Sequence, residues 1–202
     1  MNLAEAAPVT LTLDVRQRKD VWRSIVAEIE RYLDSVDDLP ASRKINRSEV
    51  LARLGEVDFS SPISPEEAIR FSAQGLTDFQ VHATHVRYFG LFNPGSTTMG
   101  IAADALAAAF NPQGATWTHS PFASEVEILV IRELGKKFGY LEAEIDGTFT
   151  SGGAEANHTA LICALTSRFP EFAAQGVRGI AGQPVIYVSE QAHHSFVKAA
   201  RF

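Results

Sequence analysis

Two adjacent glycines, Gly152 and Gly153, constrain this chain more than any other feature. They follow "GTFTS" (147–151), a short run of strand formers, and open "GAEANHTALICALTSRF" (153–169), which reads as a helix. Glycine lets the backbone turn sharply, so successive amide N–H groups can point one way. A helix that starts at the turn adds the positive end of its dipole. The missing side chains also let an anion approach the backbone. Strand, Gly-Gly turn and helix therefore make a candidate phosphate cradle. Steric need alone also places glycine at such turns, and the stretch matches neither the P-loop nor the dinucleotide fingerprint.

A second stretch, "VIYVSEQAHHSFVKAA" (185–200), carries the polar residues that a cradle needs nearby. "PVIYVSE" (184–190) has the β-branched run expected of a buried parallel strand. Its end delivers Ser189, Gln191, His193, His194 and Ser195. Ligands of open α/β sheets sit outside the carboxyl ends of the strands. Histidines there can hydrogen-bond, stack on a flat ring or bind metal. The plain structural alternative is a polar turn, with Ser195 capping the next helix. A zinc site from His158, His193 and His194 lacks a convincing further ligand.

Around these stretches the pattern is helical. From Asp14 to about Ser35, Trp22, Ile25, Ile29 and Leu33, with Val36 just beyond, fall on one face, and the helix stops near "DDLP". "RKINRSEVLARLG" predicts a short helix ended by Gly55. "SPEEAIRFSAQG" carries a capping box, with Ser64 as cap, Pro65 first, Glu67 reaching back and Gly75 as the stop. The region up to about Ala83 is thus short helices joined by Pro/Ser-rich loops. It is expected to pack on something larger, either a second subunit or its own domain. Beyond the aromatic loop "HATHVRYFGLFNPGSTTMG", a helix is expected from about Ser96 to Phe110, closed by Asn111-Pro112. Another is expected from Ser120-Pro121 (cap, then proline) to Phe138, with Val126, Leu129, Val130 and Leu134 on its apolar side. Helix, strand, helix, strand after residue 120 argues for an α/β sheet.

Composition excludes several classes. Hydrophobic residues make up 46% and charged residues 21%, enough to build a core. The net charge of -6 and the lack of a dense Lys/Arg run argue against a nucleic-acid binder. The single cysteine, Cys163, rules out an intrachain disulfide, which suits a reducing compartment. In "ALICAL" it reads as a small buried hydrophobe. "MNLAEAAPVTLTLD" lacks the pattern of a signal peptide, and no apolar run is long enough to span a bilayer. The expectation is a soluble cytoplasmic protein.

Four stretches together resemble the group II pyridoxal-phosphate-dependent decarboxylases, the family of aromatic-amino-acid, histidine and glutamate decarboxylases. "HVRYFGLFNPGST" (85–97) is similar to the family's His-Pro-x-Phe loop. "WTHSPFASEVE" (117–127) resembles its Ser-Pro-x-x-x-x-Leu-Glu helix start. "FTSGGAEANHTAL" (149–161) resembles its Gly-Gly-x-x-Ala-Asn phosphate turn. "YVSEQAHHSFVKAA" (187–200) resembles its Ser-x-x-Ala-His-x-Ser-x-x-Lys-Ala segment. The resemblance covers nearly the whole chain, and the last two stretches are specific.

The resemblance implies an α/β fold: an N-terminal helical arm (1–83) that forms dimers, then the first part (84–202) of a fold type I large domain with a mostly parallel sheet. It implies pyridoxal 5'-phosphate as cofactor, held by the amides of Gly153 and Ala154. It makes His193 the catalytic histidine that stacks on the pyridine ring, and places Phe92 and Pro94 on the substrate side. Trp117 would lie near the dimer interface, and Glu155 and Asn157 read as structural. The implied partners are a small amino-acid substrate and a second copy of the chain, without nucleic acid or membrane.

Three departures stand out: Val86 follows His85 where the family has proline, Ala154 replaces a frequent hydroxyl residue, and His194 replaces a small or polar one. None of Lys19, Lys44, Lys136, Lys137 and Lys198 sits in the family's Schiff-base context. Asp104 lies in a helix and does not match the aspartate that pairs with the pyridine nitrogen. The chain therefore reads as part of an L-amino-acid decarboxylase, completed by a C-terminal part or a second chain. A carbon–carbon lyase of a related family and a non-catalytic dimerising partner remain open alternatives. The substrate amino acid is not determined by these residues.

Overall fold

The computed structural model describes residues 12–90 and 92–201. The expectation about a leader falls mostly on residues 1–11 and lies outside the described residues. The chain divides into two units, Met1–Leu106 and Ala107–Phe202.

In the first unit, α1 (Val15–Ser35) begins at a capping box. The Gln17 amide donates to Asp14 Oδ1 at 2.8 Å, and the Asp14 amide donates to the Gln17 side chain at 3.0 Å. A 3-10 turn (Val36–Asp38) follows and buries Val36. Next come α2 (Arg47–Leu54), ended at Gly55, and α3 (Pro65–Asp78), capped by Ser64 and Glu67 as the sequence predicts. Helix α3 packs on α1, and the Arg53 guanidinium lies 4.2 Å from the Phe71 ring centroid, joining α2 to α3. Gly75 does not stop α3, which runs on to Asp78. Glycine ends a helix readily where it takes a left-handed φ, and Gly75 does not take one. Behind α3, buried His82 accepts or donates at 3.0 Å with the Tyr32 hydroxyl, and its amide donates to Ala41 O at 2.9 Å. Burial pushes the Tyr32 phenol above its ordinary range.

Helix α4 (Thr98–Phe110) starts two residues later than expected, with the Thr97 hydroxyl accepting from the Gly100 amide at 3.1 Å. It ends at Asn111, which takes a left-handed φ of 43°.

The second unit holds α5 (Pro121–Lys137), α6 (Gly153–Arg168), α7 (Phe172–Gln175) and α8 (Ser195–Ala199). Pro121 takes the first position of α5 as expected. Ser120 precedes it, but its side chain does not cap the helix. Its carbonyl accepts from the amide and hydroxyl of Ser124, the ordinary first bond of the helix, and leaves the first-turn amides uncapped. Gly135 is buried under Ile145: a Cβ there would come within 2.7 Å of Ile145 Cγ2. Helix α6 packs against α8 and α7.

The expected strands are not found: among the described residues there is no strand, and both 146–150 and 183–189 lack regular structure. A strand exists only through a hydrogen-bonded ladder with a neighbour, and neither stretch has one here. "PVIYVSE" is accordingly not buried, and Tyr187 is 96% exposed. Cys163 is exposed as well, on a face of α6 that nothing described here covers.

Val36 and Ile180 are the buried hydrophobic residues among those described, whereas Phe59, Phe89, Phe92, Phe122 and Phe138 stand largely exposed. Burying one such ring contributes about 1.5–3 kcal/mol, so these faces need a cover. We expect residues 1–202 expressed alone to associate and to bind an apolar dye strongly. A sharp, cooperative melt of a monomer in calorimetry and light scattering would contradict this.

Candidate functional site

The first turn of α6 supplies the donors of a candidate anion site. Gly152 precedes it with extended backbone (φ 172°, ψ 170°), and no side chain caps the helix among the described residues. The amides of Gly153, Ala154 and Glu155 have no acceptor within the helix, as at any helix start. A Cβ built at Gly152 or Gly153 meets nothing within 4 Å. No packing neighbour described here demands glycine at either place, so the steric explanation of the glycine pair loses support. Glycine leaves room beside unpaired N–H groups, and a phosphate takes that donor set.

Two carboxylates hold the turn. Glu127 on α5 accepts from the Phe149 amide at 3.1 Å, tying 148–149 to that helix. Glu155 reaches back from α6 and accepts from the Ser151 amide at 2.8 Å and from the Ser151 hydroxyl. The Ser151 hydroxyl first, then its amide, hold the Glu155 carboxyl below the usual glutamate range. The geometry gives Glu155 the structural role that its motif position suggests.

The histidine segment is anchored to the same helix. Asn157 Nδ2 donates to Ser195 Oγ at 2.8 Å, and Ser195 Oγ lies 2.9 Å from His193 Nδ1. Ser195 is only 5% exposed. It is therefore not the cap of α8. His194 holds the cap position, and Ser195 is the first helical residue, its hydroxyl turned to His193 and Asn157. The rings of His193 and His194 are 4.2 Å apart at their centroids and tilted by 37°. At that separation the rings overlap in part, so His194 lies against one face of His193.

Gly153, Ala154 and His193 thus fall in one unit, linked through Asn157 and Ser195. Phe92 and Pro94 belong to the other unit, where Phe92 is fully exposed (104%) and the Tyr88 hydroxyl donates to the neighbouring Asn93 at 3.1 Å. Trp117 donates through Nε1 to Glu125 at 2.8 Å. Among the described residues no group of three or more His, Cys, Asp or Glu is placed to hold a metal ion. Sequence reasoning missed Glu127 and the link through Ser195. Both lie in motif stretches, but their partners are 22 and 38 residues away.

The chain matches the pyridoxal-dependent decarboxylase conserved domain over residues 52–202. It belongs to that family. The cofactor of the family is pyridoxal phosphate, whose phosphate suits the amide donors at the start of α6. A tyrosine decarboxylase of Oryza sativa subsp. japonica is 29% identical over 97% of this chain and 37% of its own length. An aromatic-L-amino-acid decarboxylase of Bacillus atrophaeus is 24% identical over 95% of the chain and 38% of its own length. Among solved structures, Oryza sativa TDC with PLP and tryptamine superposes with a TM-score of 0.81, at 21% identity, over 96% of this chain and 40% of that one. Mouse CSAD gives 0.76, at 20% identity, over 94% and 39%. The fold is therefore that of the pyridoxal-dependent decarboxylases, and the chain spans about two fifths of the length of these relatives.

The Glu155 carboxyl makes a pH-dependent clasp in this family member. Its lowered folded-state pKa means that the clasp contributes stability above the ordinary glutamate range and loses it as pH falls through the lowered value. In an NMR titration, the Ser151 amide and the Glu155 carboxyl carbon should move together, at a pH below that of a free glutamate. Titration at the ordinary glutamate value would contradict the clasp, and Glu155→Gln should abolish the transition at Ser151.

Proposed function

We propose that this chain is part of a pyridoxal-phosphate-dependent L-amino-acid decarboxylase, with the cofactor phosphate on the amides of Gly153 and Ala154. His193 lies on the pyridine ring, and Phe92 and Pro94 line the substrate side. The observation that carries the reading is the hydrogen-bonded link between α6, which starts at the cradle, and the loop that holds the histidine.

When bound, pyridoxal phosphate supplies a ring that accepts the electron pair left at Cα as the carboxylate departs as CO2. The residues of this chain do the holding. Amides at the start of α6 face the phosphate dianion with the positive end of the helix dipole behind them. Gly152 and Gly153 keep side chains out of its way. His193, backed by His194 on one face, offers its other face to the ring and sets the ring's tilt. The names of the relatives range from tyrosine and aromatic to acidic amino acids, so the substrate class is kept at L-amino acids.

Residues 84–202 open the large cofactor domain in this reading, and "PVIYVSE" (184–190) becomes a strand of its mostly parallel sheet once paired. Residues 1–83 form an arm that dimerises. The apolar side chains left uncovered on α1 support that role. Trp22 and Val26 stand exposed on α1. A cytoplasmic location accords with the lone cysteine. No described helix is long and apolar enough to cross a membrane.

The full-length protein, loaded with pyridoxal phosphate and reduced with borohydride, should carry one pyridoxyl group. Fragmentation in a mass spectrometer should place it on a lysine other than Lys19, Lys44, Lys136, Lys137 and Lys198. The unreduced protein should release CO2 from an L-amino acid. No label, or traces spread over those five lysines, would overturn the reading.

A second experiment tests the cradle. Gly153→Pro deletes one amide donor at a helix position that tolerates proline, with open space around it. Cofactor affinity should fall about 10- to 100-fold, the value of a hydrogen bond to a charged acceptor, with little change in melting temperature. Unchanged affinity would remove Gly153 from the site.

A further inference from the structure

The hydrogen bonds around His193 have a direction. A backbone N–H can only donate, and the Ser195 amide points at His193 Nδ1 from 3.3 Å. Ser195 Oγ accepts from Asn157 Nδ2 at 2.8 Å, which leaves its own hydrogen free for Nδ1 at 2.9 Å. Two donors of Ser195, its amide and its hydroxyl, thus converge on one ring nitrogen. That nitrogen must carry a lone pair, so the proton of the neutral ring is on Nε2. The ring plane is set by the same contacts, together with His194 on one face.

We propose that Asn157 and Ser195 are positioning residues that hold His193 in a single ring orientation and in the Nε2–H tautomer. This rests on the reading of His193 as the residue lying on the cofactor ring. The edge of the imidazole that faces away from Ser195 is then a fixed hydrogen-bond donor, suited to an anionic oxygen. Ser195 is buried although the His193 ring is exposed, so the serine's two donors meet Nδ1 on the side of the ring that water reaches least. A mere staple between α6 and α8 would need the Asn157–Ser195 bond but no particular ring proton.

The test is nitrogen NMR on the full-length protein with ¹⁵N-labelled histidine, with the ring neutral and before cofactor is added, His193 being assigned from the spectrum of His193→Gln. The native protein should show the Nε2–H form alone. Ser195→Ala should yield a mixture of the two tautomers, and Ser195→Thr should restore the single form. Asn157→Asp makes position 157 an acceptor, draws the Ser195 hydrogen to itself and should shift the ring towards Nδ1–H. A native ring in the Nδ1–H form, or a ratio unchanged in Ser195→Ala and Asn157→Asp, would overturn the proposal. The native measurement stands even if a variant fails to fold. The tautomer is read without cofactor or turnover, so a locked ring in a protein that releases no CO2 would sink the functional reading alone.

Discussion

The hydrogen bond from Asn157 to Ser195 is the contact on which the rest of the site depends. Helix α8 has five residues, too few to hold together through its own backbone bonds. The chain before it, from 183 to 189, has no regular structure to steady it. Helix α6, with sixteen residues, is the stable body in this part of the chain. Anchoring a buried serine to that body places the histidine loop relative to the Gly-Gly turn. The cost of leaving the Ser195 hydroxyl or the Asn157 amide unpaired, about 1–3 kcal/mol each, keeps the anchor in place.

The turn is built on the same logic from the other side. Glu127 holds the approach to it, and Glu155 clasps Ser151 from within the helix. Both carboxylates are occupied by donors of their own chain. Glu155 thus stabilises the turn while its charge is directed back to Ser151. The amides of the first turn are left without an acceptor inside the helix, and Gly152 and Gly153 have open space beside them.

Local chemistry made much of the helical part legible. The Ser64–Glu67 box lies within one turn, so side chain and backbone meet wherever the rest of the protein goes. The start of α1 at Asp14 follows from the same kind of contact. Where the outcome depended on backbone angles or neighbours, the sequence misled. Gly75 took helical angles and α3 continued, and the Ser120 side chain makes no cap on α5. "PVIYVSE" has the composition of a buried strand, but burial and pairing come from neighbours, and Tyr187 and Cys163 stand exposed without them.

The sequence by itself determined the long helices, the Ser64–Glu67 cap, the glycine turn and the membership of a family, because each rests on residues close together or on motifs readable as strings. Only the tertiary structure decided that Asn157, Ser195 and His193 form one chain of hydrogen bonds. Ser195 looked like a helix cap in sequence because capping is a local habit of serine. It became the buried link instead because α6 brings a donor 38 residues away to within 2.8 Å. No local pattern encodes that approach.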